Sequence, residues 1–123
     1  RHHFSGFQLF ELNNNDDDKK LIAAIINGMQ EKKAKHIVTI NLTKIDAPCR
    51  YFVICEGYSK IQIATIATSI KDRTKAEVNE KPFAVDGFEN SEWIAMDYGT
   101  ILVHVFIKEL RDFYDIEHFC GKM

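Results

Sequence analysis

Apolar positions recur at two different periods along this chain, and each change of period marks a new element. Leu21, Ile22, Ile25, Ile26 and Met29 fall at helical spacing behind the acidic residues 16–18, which supply an N-cap and suit a helix N-terminus. The pattern predicts a first helix over about residues 17–34. "KHIVTINLT" then brings β-branched Ile37, Val38, Thr39 and Ile40, and "RYFVICE" is a short continuous apolar run of the kind found in a buried strand. These read as two strands joined by a turn containing Pro48. Beyond Gly57, Ser59 with Gln62 three residues on forms a capping-box signature ahead of Ile63, Ile66, Ala67 and Ile70, predicting a second helix to about residue 76. "KPFAVDG" is a short third strand that starts at a proline, and "SEWIAMDYGTILVHVFIKELRDFY" reads as a β-hairpin running into a helix.

The strand, helix, strand passage implies one parallel pairing by a right-handed crossover, and the hairpin implies antiparallel pairing at the end. The expected fold is α/β, a mixed sheet of about five strands with flanking helices. Its core is expected to contain Phe52, Ile54, Ile63, Ile66, Ile70, Met96, Val103 and Val105.

Alternation also sorts the hairpin faces. If Tyr98 and Gly99 alone form the loop, Asp97 faces Thr100 and Trp93 faces His104. Trp93, Ala95, Asp97, Leu102, His104 and Phe106 then share one side, and Ile94, Met96, Ile101, Val103 and Val105 form an aliphatic core side. A three-residue loop of Asp97, Tyr98 and Gly99 puts less strain on Tyr98 but separates Trp93 from His104. The separation of polar from aliphatic positions favours the first register, and turn sterics favour the second. From composition alone, Trp93 and His104 read as amphipathic core residues with satisfied N–H groups.

Composition narrows the functional classes. The chain has 123 residues, 46% hydrophobic and 28% charged, which is ample for one self-folding domain. A net charge of −2, from 16 basic and 18 acidic residues, offers no global field for a phosphate backbone, so direct DNA binding is not expected. Cys49, Cys55 and Cys120 are odd in number and lack C-x-x-C spacing, which suggests reduced thiols in a cytoplasmic setting. No apolar run has the length of a membrane span, so a soluble protein with no membrane partner is expected. Residues 1–15 read as a disordered or extraneous N-terminal segment, and residues 16–123 as a single domain.

Catalytic chemistry finds little support. "CEGYSK" joins a strand to a helix where a backbone nest could hold a phosphate, yet a Gly and a capping Ser are what any such turn needs. No D-x-D or E-x-E lies on a predicted strand, and Asp86 and Asp97 are single carboxylates beside Gly-containing turns. His36, His104, His118 and the cysteines are too scattered for a metal site, and no cofactor is expected.

"NSEWIAMDYGTILVHVFIKELRDFYDIEH", with "KPFAVDG" before it and "YFVICEGYSKIQIATIA" earlier, resembles the ribosomal silencing factor family, also called Iojap, over about residues 18–119. The resemblance implies a nucleotidyltransferase-like fold without transferase activity. It further implies a translation repressor that binds the large ribosomal subunit through ribosomal protein L-fourteen, and so blocks joining of the small subunit when nutrients are short. On that resemblance Trp93 with Ile94 would be an apolar anchor, and Asp97, Tyr98, His104, Arg111 and Tyr114 would lie on or support the same contact surface. Two positions depart from the family pattern: Thr100, where many relatives are acidic, and Cys120, where an aromatic is common. The alternative is a degenerate nucleotidyltransferase-like protein that binds nucleotide near Gly57 and Ser59. The sequence leaves homodimer formation open.

Overall fold

The computed structural model describes the backbone of residues 7–114 and the side chains of residues 16–111. In chain order the elements are α1 (Phe7–Glu31), β1 (Lys35–Asn41), β2 (Tyr51–Gly57), α2 (Lys60–Val78), β3 (Ala84–Asp86), β4 (Trp93–Asp97), β5 (Ile101–Ile107) and α3 (Lys108–Tyr114). Helix α1 begins about ten residues before its expected start, because no proline or glycine between Phe7 and Asn27 marks a boundary. It closes at a left-handed Lys33, φ +63°, with the Ala34 N–H donating to the Met29 carbonyl at 3.0 Å.

The capping box at α2 is present in both directions. Ser59 Oγ accepts from the Gln62 N–H at 3.1 Å, and Gln62 Oε1 accepts from the Tyr58 N–H at 2.8 Å. At the other end Asn79 takes the left-handed conformation, φ +56°, and its N–H donates to the Lys75 carbonyl.

The five strands run in the order β1-β2-β5-β4-β3, with β2 and β5 parallel and every other pair antiparallel. The single parallel pair therefore joins β2 to β5, while β3, the strand that directly follows α2, lies at the far edge. Physically, the centre goes to the strands that are buried along most of their length, and a three-residue strand with exposed Ala84 and Asp86 can only close an edge.

Helices α1 and α2 pack side by side on one face of the sheet. They approach so closely that a Cβ on Gly28 would lie 2.7 Å from Ile70 Cα, and Ser69 Oγ donates to the Gly28 carbonyl at 2.9 Å. Between helices and sheet, Leu21, Ile25, Met29, Ile63, Ile66 and Ile70 meet Val53, Cys55, Ile94, Met96, Ile101, Val103 and Val105. The core expectation holds for Ile63, Ile66, Ile70, Met96, Val103 and Val105, and Ile54 is also fully buried, whereas Phe52 is only half-buried and neither Phe52 nor Ile54 faces the helices. Those two pair with Leu102 and His104 and so belong to the opposite face. The uninterrupted run "YFVIC" contains no alternation from which its face could be read.

Candidate functional site on the second face of the sheet

Neither expected hairpin register is the one adopted. Trp93 pairs with Phe106, Ala95 with His104 and Asp97 with Leu102, and the Tyr98 N–H donates to the Ile101 carbonyl at 2.9 Å. The loop is Gly99 and Thr100, with Gly99 at φ +91°, a conformation glycine adopts without strain at the first central position of a hairpin turn. Local bonds hold it there: the Gly99 N–H donates to Asp97 Oδ1 at 2.8 Å, and the N–H groups of Arg50 and Tyr51 both donate to the Thr100 carbonyl. A shift of two residues preserves parity, so the face sorting survives although the pairing does not.

The second face, turned away from α1 and α2, therefore carries Trp93, Ala95, Asp97, Leu102, His104 and Phe106, joined by Phe52, Ile54 and Glu56 of β2. Trp93 is 36% exposed. Its indole Nε1–H donates to His104 Nδ1 at 3.0 Å, and its ring tilts against Phe106 with centroids 4.9 Å apart. His104 is buried, edge-on to Phe52 at 5.0 Å and stacked with Phe106 at 5.8 Å. Burial drives its pKa down to about 4, so the imidazole is neutral at pH 7.

The remaining expected site residues divide. Asp97 is exposed on the same face as Trp93. Ile94 and Tyr98 are not on it: Ile94 is fully buried beneath the helices, and the Tyr98 hydroxyl shares a hydrogen bond of 3.0 Å with Thr74 Oγ1 on α2. Burial raises the Tyr98 pKa. Tyr98 ties the hairpin to the helix layer, and as an anchoring pair Trp93 and Ile94 are split by strand alternation. Arg111 supports the face from α3. It is buried, and its Nη1 donates to Glu56 Oε1 at 3.3 Å and to the His36 carbonyl. Glu56 Oε2 meets His36 Nδ1 at 2.9 Å, where His36 takes a left-handed φ of +52° within the irregular stretch of β1. The backbone of Tyr114 closes α3, while its side chain and the whole of Cys120 lie outside the described residues.

Three exposed apolar residues were not anticipated: Phe83, 79% exposed just before β3, and the pair Tyr58 and Ile61. Tyr58 and Ile61 are 54% and 81% exposed at the start of α2, where Lys60 Nζ reaches Glu92 Oε2, beside Trp93, at 3.5 Å. Ile61 was detectable in principle, since it falls off the stripe formed by Ile63, Ile66 and Ile70. At the Gly57 turn, Ser59 Oγ and the Tyr58 N–H are engaged in capping α2. The Cys55 thiol is buried, and burial pushes its pKa up to about 12.

A family described as "Ribosomal silencing factor during starvation" matches residues 15–122. The chain belongs to the ribosomal silencing factor family. Similar curated relatives of that name include one from Bacillus subtilis, 34% identical over 91 residues, covering 74% of this chain and 76% of the relative. Another, from Halalkalibacterium halodurans, is 32% identical over 96 residues, covering 78% of this chain and 81% of the relative. The chloroplastic protein Iojap of Zea mays is 28% identical over 101 residues, 80% of this chain and 42% of that longer protein. A crystal structure from Chromobacterium violaceum superposes with a TM-score of 0.74 at 28% identity, covering 87% of this chain and 85% of that one. The mixed α/β architecture is thus shared with a solved structure similar to this chain.

Proposed function

We propose that this member of the family is a non-enzymatic translation repressor of the cytoplasm that docks on the large ribosomal subunit through ribosomal protein L-fourteen. Once docked, it blocks joining of the small subunit sterically and lowers translation when nutrients are short. The observation that carries the reading is Trp93, the sole tryptophan, held at the surface by a buried histidine, with Asp97 on the same face. A surface indole packed on other aromatics matches the hot spots of protein interfaces. The exposed charges on this face of β3 and β4, Asp86 and Asp97, are both acidic, so the surface suits a protein with basic side chains and repels a bare phosphate backbone.

Co-sedimentation of the purified protein with separated ribosomal subunits tests the proposal. The expected result is selective recovery with the large subunit, and reduced formation of joined ribosomes when the protein is added first. Equal recovery with both subunits, or with neither, rules it out.

A further inference from the structure

Trp93 and His104 are related by more than contact. The indole Nε1–H can only donate, so His104 Nδ1, 3.0 Å away, must be the unprotonated ring nitrogen. A neutral imidazole then carries its proton on Nε2, which is buried and finds no acceptor among the described residues. An unpaired buried N–H opposes folding, and a phenyl ring would fill the same space between Phe52 and Phe106 without that cost. What the imidazole supplies here and phenyl could not is an acceptor aimed at the indole. Trp93 is otherwise one-third exposed at the start of a strand, where an indole has alternative rotamers and water as an alternative partner.

We infer that His104 is a positioning residue: through Nδ1 it locks the Trp93 indole in the orientation that meets the partner, without touching the partner itself. This rests on the docking role assigned above to Trp93. It also specifies which ring atom matters, Nδ1 rather than Nε2. An Asn side chain can place its amide oxygen near the Nδ1 position, a Gln side chain reaches toward Nε2, and Phe keeps the ring but has no acceptor.

Two readouts test the inference on the intact protein. The lone indole N–H gives one resonance whose hydrogen exchange reports whether the bond to position 104 is made. Affinity for the large subunit is measured alongside it, for His104→Phe, His104→Asn and His104→Gln, each first checked by its melting curve. His104→Phe should expose the indole proton to exchange and weaken binding about tenfold, the scale of one hydrogen bond. His104→Asn should restore most of both losses, and His104→Gln should not. In a Trp93→Phe background, where there is no indole N–H, His104→Phe should cause no further loss of affinity. A tenfold loss that persists in that background means His104 touches the partner, and overturns the inference. Parental affinity in a folded His104→Phe protein with rapid indole exchange overturns it as well. Should His104→Phe fail to fold, equal behaviour of the Asn and Gln variants has the same consequence. If the parent protein does not bind the large subunit, the docking role fails, while indole exchange across the three variants still decides whether Nδ1 holds Trp93.

Discussion

Thr100 Oγ1 donates to Asp18 Oδ1 at 2.9 Å, joining the hairpin turn to the first helix across 82 positions of sequence. The carboxylate it meets is buried, and its other oxygen accepts from Arg50 Nη1 at 3.1 Å. The neighbourhood of Thr100 disfavours an acidic residue at this position. A carboxylate here would face Asp18 at hydrogen-bonding distance, with Arg50 the one cation paired to Asp18 among the described residues.

Thr100→Val, which removes only the donor, should therefore cost about 1 kcal/mol of stability, since Asp18 keeps Arg50. Thr100→Asp should cost more, about 2–3 kcal/mol, through the lost bond and like-charge repulsion. Urea melts of both variants at pH 7 give the comparison. A Thr100→Asp protein as stable as Thr100→Val would show that the turn moves aside rather than pressing two carboxylates together.

The helix layer offers a test of packing with two opposing terms. Replacing Gly28 by Ala in α1 favours the helix by about 1 kcal/mol through backbone propensity. The added methyl, however, would lie 2.7 Å from Ile70 Cα, a backbone atom that cannot rotate away. Overpacking of this kind typically costs 1–3 kcal/mol and should win, so Gly28→Ala is expected to lower the melting temperature. A higher melting temperature would mean that α1 and α2 slide apart at little cost.

What could be read in advance followed from local chemistry. Ser59 and Gln62 announced a helix start because a capping box is completed within four residues, and the alternation "WIAMD" sorted both hairpin faces correctly. The hairpin register was misread because a shift of two leaves that alternation unchanged. The adopted pairing depends on Thr100 meeting Asp18 and Arg50, and on Tyr98 turning inward to Thr74, contacts that no short window contains. The same holds for the pairing of Glu56 with Arg111, 55 residues apart. Phe52 and Ile54 were assigned to the wrong face because the run from Tyr51 to Cys55 is apolar on both sides.

Trp93 itself separates the surface role from a core role. With 36% of its area exposed, Trp93→Ala should cost about 1–2 kcal/mol of stability, well short of the 3–5 kcal/mol typical of a fully buried tryptophan. Its affinity for the large subunit should fall by about 2 kcal/mol, close to thirtyfold. A folded Trp93→Ala protein with parental affinity would remove Trp93 from the contact and turn attention to Tyr58 and Ile61.

The last prediction concerns pH, and its sign follows from His104. Burial lowers its pKa from 6.5 to about 4 in the folded chain. In the pH range between those values the unfolded chain binds a proton that the folded chain refuses, so stability must decline as pH falls. The contribution is fully present above about pH 6.5 and is lost as pH approaches 4. At about 1.4 kcal/mol for each pH step, the whole effect is bounded at roughly 3 kcal/mol. Other groups titrate in the same range, so the informative quantity is the difference between the parent and His104→Phe, measured by urea melts at pH 7 and pH 4.5. The parent should lose about 2 kcal/mol more than the variant over that interval. Because a protonated Nδ1 cannot accept from the indole, the emission of Trp93 in the folded parent should also change toward pH 4, and the emission of the variant should not. Parallel stability profiles for the two proteins would show that His104 is solvated well enough to titrate normally.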